Sequence, residues 1–540
     1  MLDQVVPSRD TEISTPVGGQ GRSESGAREG NVHVGRRSTA VVIGGGFGGI
    51  AAALRLRALG YETTLVERLP SLGGRAQIFE IDGFKHDAGP TVLTAPFLFD
   101  ELFALFGKRT ADYIKLLPLK PWYRFHFNDG TSFDYGGSLG DILSEIARIS
   151  PRDVAGYQNL IEHSRSVFDI AFRELSHQPF HHLRKMLDQI PLLLRLRADR
   201  TVWSLVSKHI AHPNLRQALS IQPLLIGGNP FETTSIYSLI HYLEQQWGVF
   251  YAVGGTGAVV TALTRLMQEQ RITMRLGATV KQLVIEGRTA RGVELENGER
   301  IMSDIVVSDA DPMHLYRHMI DERNLTIPTR VKLRSSLSMG LFVLYFGTRR
   351  QYPDIARHTI WLAARYRELL ADIFHGRDLP RDFSLYIHRP TATDQSFAPE
   401  GCDSFYVLCP VPNTASNIDW ASATSKLRSR IIAALERTIM PGLSSGITAE
   451  RTMNPNDFQN DYLSHCGAGF SVAPRFTQSA WFRFHNRSES VKNLFLVGAG
   501  THPGAGIPGV LCSAKVVEEL VREQMVDALP AAANLASASR

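Results

Sequence analysis

The stretch Val41-Val42-Ile43-Gly44-Gly45-Gly46-Phe47-Gly48-Gly49-Ile50 restricts this chain more than any other, because few folds accommodate it. β-Branched residues lead into Gly44-x-Gly46-x-x-Gly49, Ala51–Leu59 has helical composition, and a second strand, Glu62–Val66, ends at Glu67. Three spaced glycines alone are weak evidence. Strand, glycine turn, helix, strand and acid in this order read as the dinucleotide-binding βαβ unit of an α/β fold. In such a unit Gly44 permits the tight turn, Gly46 lets the backbone approach a pyrophosphate, and Gly49 lets the helix pack on the strand. The helix N-terminus offers unpaired N–H groups and its positive dipole end to the phosphates. Glu67 suits a ribose hydroxyl, since a carboxylate accepts from an OH and repels a 2′-phosphate.

Just past Glu67 come Leu72-Gly73-Gly74-Arg75 and then Phe84-Lys85-His86-Asp87-Ala88-Gly89-Pro90-Thr91. This pair of segments resembles the second glycine-arginine element of the large flavoprotein family that includes amine oxidases, phytoene desaturases and Rab escort-type proteins. The resemblance implies FAD as cofactor, with Gly74 close to its pyrophosphate and Arg75 near the flavin. Asp87 either takes part there or orders the turn before Gly89.

A chain of 540 residues exceeds one simple core, so two or three subdomains are expected. With 44% hydrophobic and 21% charged residues it has ordinary globular composition. Cys402, Cys409, Cys466 and Cys512 lack metal-ligand or redox spacing, which fits reduced thiols in a cytoplasmic protein and no metal. No run of about twenty apolar residues suggests a membrane span. Residues 1–38 are rich in Gly, Ser, Thr and Arg and read as a disordered tail without a secretory signal; residues 526–540, rich in Ala and Ser, read as a second tail. The net charge of +5 has a home between His181 and Arg216. There Arg184, Lys185, Arg195, Arg197, Arg200, Lys208 and Arg216 face only Asp188 and Asp199. Leu183, Met186, Leu187, Ile190, Leu193, Leu194 and Leu196 are interleaved at largely helical spacings, with Pro191 as a kink. A kinked, basic, amphipathic region suits an anionic bilayer, or else the solvated face of a helical cap. Nucleic acid is disfavoured, because no base-stacking aromatic pattern accompanies the charge.

Further along, Gly254-Gly255-Thr256-Gly257 precedes a helical stretch, Ala258–Glu269, and Ile272–Leu276 reads as a strand. Turns at Gly287-Arg288 and Asn297-Gly298 punctuate a β-meander that begins near Val280, and Asp304–Ala310 rejoins the sheet. The flavoprotein resemblance places the main chain of Val280 at the adenine. Asp141–Trp247 reads mostly helical, and strand-like runs such as Gly340–Phe346 and Phe405–Val411 recur between Ser338 and Pro412.

The block from Asn493 to Ser513, with Val497-Gly498-Ala499-Gly500-Thr501-His502-Pro503-Gly504-Ala505-Gly506-Ile507-Pro508-Gly509 at its centre, closely resembles the signature of bacterial-type phytoene desaturases. Gly227–Phe231, Glu244–Gly248, Phe342–Gly347 and Gln478–Phe482 also look like this family, so the resemblance spans about Ala40 to Val521. It implies an FAD-binding Rossmann-like domain from residues 39–140, 251–312 and 486–525. Interleaved with it are a helical membrane-associated cap at 141–250 and a sheet-plus-helix substrate domain at 313–485. It implies contacts to the flavin ring and ribityl chain from Gly500, Thr501 and Pro508. Many members of the wider superfamily carry an acid at this turn; here main-chain donors or Thr501 have to serve.

The activity implied is FAD-dependent desaturation of phytoene by successive dehydrogenations toward neurosporene or lycopene. Phytoene and partly desaturated carotenoids are then the substrates, and a quinone or oxygen is the electron acceptor. The location implied is peripheral, on the cytoplasmic face of the cell membrane, and a homo-oligomer is left open. A desaturase of a later hydroxy- or methoxy-carotenoid, or a carotenoid isomerase without net oxidation, has much the same scaffold. A non-enzymatic escort-type protein fits poorly with an intact Gly44/Gly46/Gly49, Glu67 and Arg75 set. The reaction calls for a base in an apolar tunnel. Arg165 with Asp169, Lys185 with Asp188, Glu232 and His502 are candidates, each with an ordinary structural reading, and no catalytic side chain is assigned.

Overall fold

The computed structural model describes residues 37–179, 188–189, 191–192 and 195–538, with side chains described as far as residue 526. Strand β1 (Thr39–Ile43), helix α1 (Phe47–Ala58) and strand β2 (Glu62–Val66) open the fold. The helix starts earlier than its composition alone suggests, because Gly46 already serves as N-cap and the glycines form its first turn. Much later in the chain come α2 (Gly255–Glu269), β3 (Thr273–Arg275), β4 (Ile305–Ser308), β5 (Leu494–Leu496) and α3 (Ile507–Ala538). The five strands make one parallel sheet in the order β5-β4-β1-β2-β3.

Both faces of this sheet are covered, which explains its unbroken β-branched run. Ala40 and Val42 of β1 point to one side, into a core shared with Ile50, Leu54, Leu511 and Val517 of α1 and α3. Val41 and Ile43 point to the other, against Leu283 and Val293 of an antiparallel meander. That meander consists of Val280–Glu286, Thr289–Leu295 and Arg300–Met302. Gly287 and Arg288 both have positive φ (53° and 63°), the conformation a tight hairpin turn demands. A buried ion pair, Arg55 Nη1 to Glu518 Oε2 at 2.6 Å, joins α1 to α3.

The second layer is a seven-stranded mixed sheet. Its order is Ile447–Met453, Gly340–Thr348, Asp403–Val411, Leu385–His388, His358–Trp361, Tyr123–His126 and Ser132–Tyr135. Gly340–Thr348 is buried along its whole length. Phe342, Leu344 and Phe346 pack under Trp420, Leu427 and Ile431 of the helix Trp420–Thr438, while Leu341, Val343 and Tyr345 face the opposite side. Helices at Leu139–Ile149, Val154–Phe168, Val202–His209, Pro213–Leu219 and Leu239–Trp247 supply the expected helical region.

α3 runs on to Ala538, so the tail read from residue 526 is helical instead; alanine, the best helix former, dominates it. Of the basic stretch, Leu183, Arg184, Lys185, Met186, Leu187, Ile190, Leu193 and Leu194 lie outside the described residues, as do residues 1–36 of the N-terminal tail. Among described residues Arg195, Arg197, Arg200 and Lys208 are exposed, whereas Arg216 is half-buried and donates to the Ile210 carbonyl. No helix among them is long and apolar enough to cross a membrane.

Candidate active-site cavity

The glycine turn after β1 is built by backbone constraints. Gly44 has φ +94°, a conformation that suits glycine, and its N–H donates to Val66 O at 2.8 Å. A Cβ at Gly49 would stand 1.9 Å from the Gly44 carbonyl oxygen, so the helix packs on the turn only without a side chain there. Gly46 and Gly74 come from the two glycine elements and face each other: a Cβ at Gly74 would be 3.5 Å from the Gly46 Cα. The result is a cleft lined by bare backbone at the N-terminus of α1.

Glu67 at the end of β2 is buried and accepts from Gly45 N at 2.6 Å and Leu69 N at 2.8 Å. Arg75 donates to Ser464 Oγ, while its Nε is buried with no hydrogen-bond partner. Burial pulls the Arg75 pKa down and Asp311, Tyr462 and Asp309 oppose that, so the guanidinium stays charged. From the end of β4, Asp309 reaches the same cleft. Burial pushes its carboxyl up to about 7 against the N–H groups of Gly49 and Gly46, with Glu67 adding to the rise. Burial likewise raises Asp311, whose Oδ1 accepts from Met313 N at 2.8 Å.

Gly44, Gly46, Glu67, Gly74, Arg75 and Val280 line a single cavity of about 570 Å³, and Gly500 and Pro508 line it from the C-terminal block. Gly49 and Thr501 stand behind the wall. The Thr501 hydroxyl donates to Gly498 O at 3.1 Å instead of facing the cavity. The fully buried Arg483 clamps this turn through Thr501 O (3.0 Å), Ala499 O (2.7 Å) and Val472 O (3.0 Å). Main-chain groups of the turn and of the α3 N-terminus are therefore what the protein presents there, the first of the two alternatives, main-chain donors or Thr501. A bare-backbone cleft, helix N-termini and a buried, unpartnered guanidinium N–H fit an anionic dinucleotide such as FAD.

Beyond this cleft the cavity turns apolar. Leu239, Ile240 and Leu243 present one face of their helix to it, and Leu341 and Leu408 of the seven-stranded sheet line it too, with Leu362 just past the strand His358–Trp361. Two polar side chains that sequence reasoning missed interrupt this lining, Glu244 and Tyr386. The Tyr386 hydroxyl pairs with Thr91 Oγ1 at 2.5 Å and with His358 Nδ1 at 2.6 Å. His358 Nδ1 faces His388 Nδ1 at 3.4 Å, and His388 Nε2 faces Asp87 Oδ2 at 3.2 Å. Burial holds both imidazoles well below the usual histidine range and lifts Asp87 to about 6. Asp87 also accepts from Thr256 N at 2.8 Å, so it ties α2 to the sheet rather than ordering the turn before Gly89.

The candidate bases separate clearly. Arg165 and Asp169 form a loose, exposed pair at 3.9 Å, and Glu232 is bound by Arg475 and His375 away from the cavity. Asp188 is exposed, and Lys185 lies outside the described residues. His502 does line the cavity, but burial pushes it down to about 3, which keeps it neutral. No metal-binding cluster occurs among the described residues.

Comparison with known proteins adds four findings. The family model for flavin-containing amine oxidoreductases matches residues 47–517. The chain is 45% identical over 487 residues to a lycopene-forming phytoene desaturase of Pantoea ananas, covering 90% of this chain and 99% of that protein. It is 40% identical over 502 residues to a neurosporene-forming phytoene desaturase of Rhodobacter capsulatus, covering 92% and 96% respectively. Putrescine oxidase bound to putrescine shares the fold at a TM-score of 0.60 and 12% identity, over 90% of this chain and 99% of that one.

Proposed function

Because this chain belongs to the flavin-containing amine oxidoreductases, we propose that it is an FAD-dependent phytoene desaturase that carries phytoene toward neurosporene or lycopene. The observation that carries this reading is the continuity of one cavity from the glycine cleft into an apolar channel. FAD supplies a hydride acceptor, which side chains do not offer. The backbone at Gly44, Gly46 and Gly74 and the N-termini of α1 and α3 hold its phosphates and ribityl chain, and Arg75 compensates negative charge. Glu67 holds the ribose end, and Val280 the adenine. The channel orients a substrate that has no hydrogen-bonding handle by shape alone, and keeps water out.

The protein works at the cytoplasmic face of the cell membrane in this reading, drawing substrate from the bilayer and passing electrons to a quinone or oxygen. Three features support that. Arg195, Arg197, Arg200 and Lys208 are exposed, and Gln189, within the basic stretch, lines the cavity. Phe476 and Phe482 are exposed aromatics on a segment whose Ala480 and Trp481 pack on Leu175 and Ala198, next to that stretch.

The test is incubation of FAD-loaded protein with phytoene-loaded liposomes and a quinone, followed by chromatography. Products lacking two, four, six or eight hydrogens are expected. Unchanged phytoene from flavin-loaded protein would refute the assignment in favour of a later carotenoid substrate.

A further inference from the structure

Forming a double bond between two adjacent C–H carbons removes a proton as well as a hydride, and on the reading above that proton still lacks a destination. We propose that the carboxylate of Glu244 is the proton acceptor of the desaturation.

Glu244 sits on the cavity-facing side of the helix Leu239–Trp247, directly after Leu243, and is 1% exposed. Its Oε1 accepts from the Tyr123 hydroxyl at 2.7 Å, whereas its Oε2 is buried with no hydrogen-bond partner. A carboxyl oxygen left bare in a wall of Leu and Ile is unfavourable and serves no packing purpose. The groups that face it are phenols from three other elements: Tyr123 and Tyr135 from adjacent strands of the seven-stranded sheet, and Tyr157 from the helix Val154–Phe168. Burial raises the pKa of all three, so they stay neutral. On its own helix, His241 meets Leu219 O at 2.9 Å, Gln222 Nε2 at 3.1 Å and the Tyr135 hydroxyl at 3.3 Å, and burial keeps it neutral as well. No cation among the described residues forms an ion pair with Glu244.

A carboxylate in such surroundings is more basic than one in water. Bound FAD would supply the acceptor for the hydride that one substrate carbon gives up. Glu244 takes H⁺ from the neighbouring carbon, and the electron pair of that C–H bond becomes the second bond of the new C=C. The carboxylate becomes a carboxylic acid, and a quinone or oxygen would be the final oxidant for the two electrons removed. Burial pushes Glu244 up to about 8, so the carboxylate fraction, and with it the rate, climbs about tenfold per pH unit below that value and levels off above it.

E244Q separates this role from a structural one, because its amide oxygen still accepts from Tyr123. With FAD bound and phytoene in liposomes, E244Q is expected to turn over at least about 100-fold more slowly than wild type, with unchanged flavin content. E244D is expected to keep a measurable rate and a displaced pH limb. Y123F, which removes the hydrogen bond to Oε1 but not the carboxyl, is expected to lose less than about tenfold. A readout without turnover accompanies these: in pH-difference infrared spectra of the flavin-free protein, a buried carboxyl band titrates near pH 8 and is missing from E244Q. Active wild type with E244Q at near-wild-type rate, or equal losses in Y123F and E244Q, overturns this assignment alone. Wild type inactive on phytoene overturns the underlying function as well.

Discussion

Replacing Gly46 by alanine tests the glycine cleft with unusual cleanness. The backbone at this N-cap is extended (φ −72°, ψ 178°), so alanine introduces no conformational strain and alters only space. Its Cβ would stand 2.6 Å from Asp309 Oδ2, well inside van der Waals contact. The carboxyl has to retreat by several tenths of an ångström and loosen its bonds to the Gly46 and Gly49 N–H groups, the donors at the helix N-terminus. Overpacking of this kind costs about 1–3 kcal/mol. Where bound FAD blocks that retreat the cost falls on binding, and at about 1.4 kcal/mol per tenfold the dissociation constant for FAD should rise roughly 5- to 150-fold. Valine adds two more methyl groups in the same space and should leave no retained flavin. The assay is fluorescence titration of flavin-free protein with FAD, with circular dichroism to confirm the fold. The same change at Gly49 would place a Cβ 1.9 Å from a backbone oxygen and should damage folding instead of affinity alone. A G46A affinity within about twofold of wild type refutes the reasoning, since it means that nothing approaches the backbone there.

Three further outcomes are expected. Asp309 is protonated below about 7 and ionised above it, where it would face a diphosphate, so FAD affinity should weaken as pH rises through 7 and D309N should abolish the slope; a flat wild-type titration argues against this. Asp403 is fully buried and accepts from Arg389 Nε (2.9 Å), Tyr352 N (2.7 Å) and Thr391 Oγ1 (2.5 Å), so D403A strands the Arg389 charge. Thermal unfolding should register a loss of about 3–5 kcal/mol, and an unchanged midpoint would contradict it. Neutralising Arg195, Arg197 and Arg200 together with glutamine should weaken sedimentation with anionic vesicles about 100-fold at low salt, at about 1 kcal/mol per charge; undiminished binding places the membrane face elsewhere.

The cleft was readable in the sequence because its determinants are local. Gly44, Gly46 and Gly49 answer to the geometry of one strand-to-helix turn, and Glu67 to the end of the next strand in the same unit. The meander was readable for the same reason, through its hairpin turn at Gly287-Arg288. Asp309 and Glu244 were not, because their significance depends on which strands and helices converge. Asp309 looked like the end of a strand rejoining the sheet, and Glu244 like one residue in a stretch ending at Trp247. Which of the two alternatives at the Gly500–His502 turn, main-chain donors or the Thr501 hydroxyl, faces the cavity was not readable, because the partners of that turn, Gly498 and Arg483, are set by tertiary packing. A composition rich in Ala and Ser suggested a tail from residue 526, but the helix propensity of the alanines carries α3 on to Ala538.

The strand order has a consequence for how the protein is made. β4 lies next to β1 and stays an open edge until β5 arrives from Leu494–Leu496, and the wall bearing Gly500 and Pro508 follows only then. A nascent chain on the ribosome thus carries an unpaired β4 edge from the completion of Ile305–Ser308 until Leu494–Leu496 is made, and an incomplete cofactor site until then, exposed to mispairing. Flavin arrives as a closing act: products truncated before β5 should stay colourless however much FAD surrounds them, and a cell short of flavin should accumulate complete chains that are stalled at their last step of maturation.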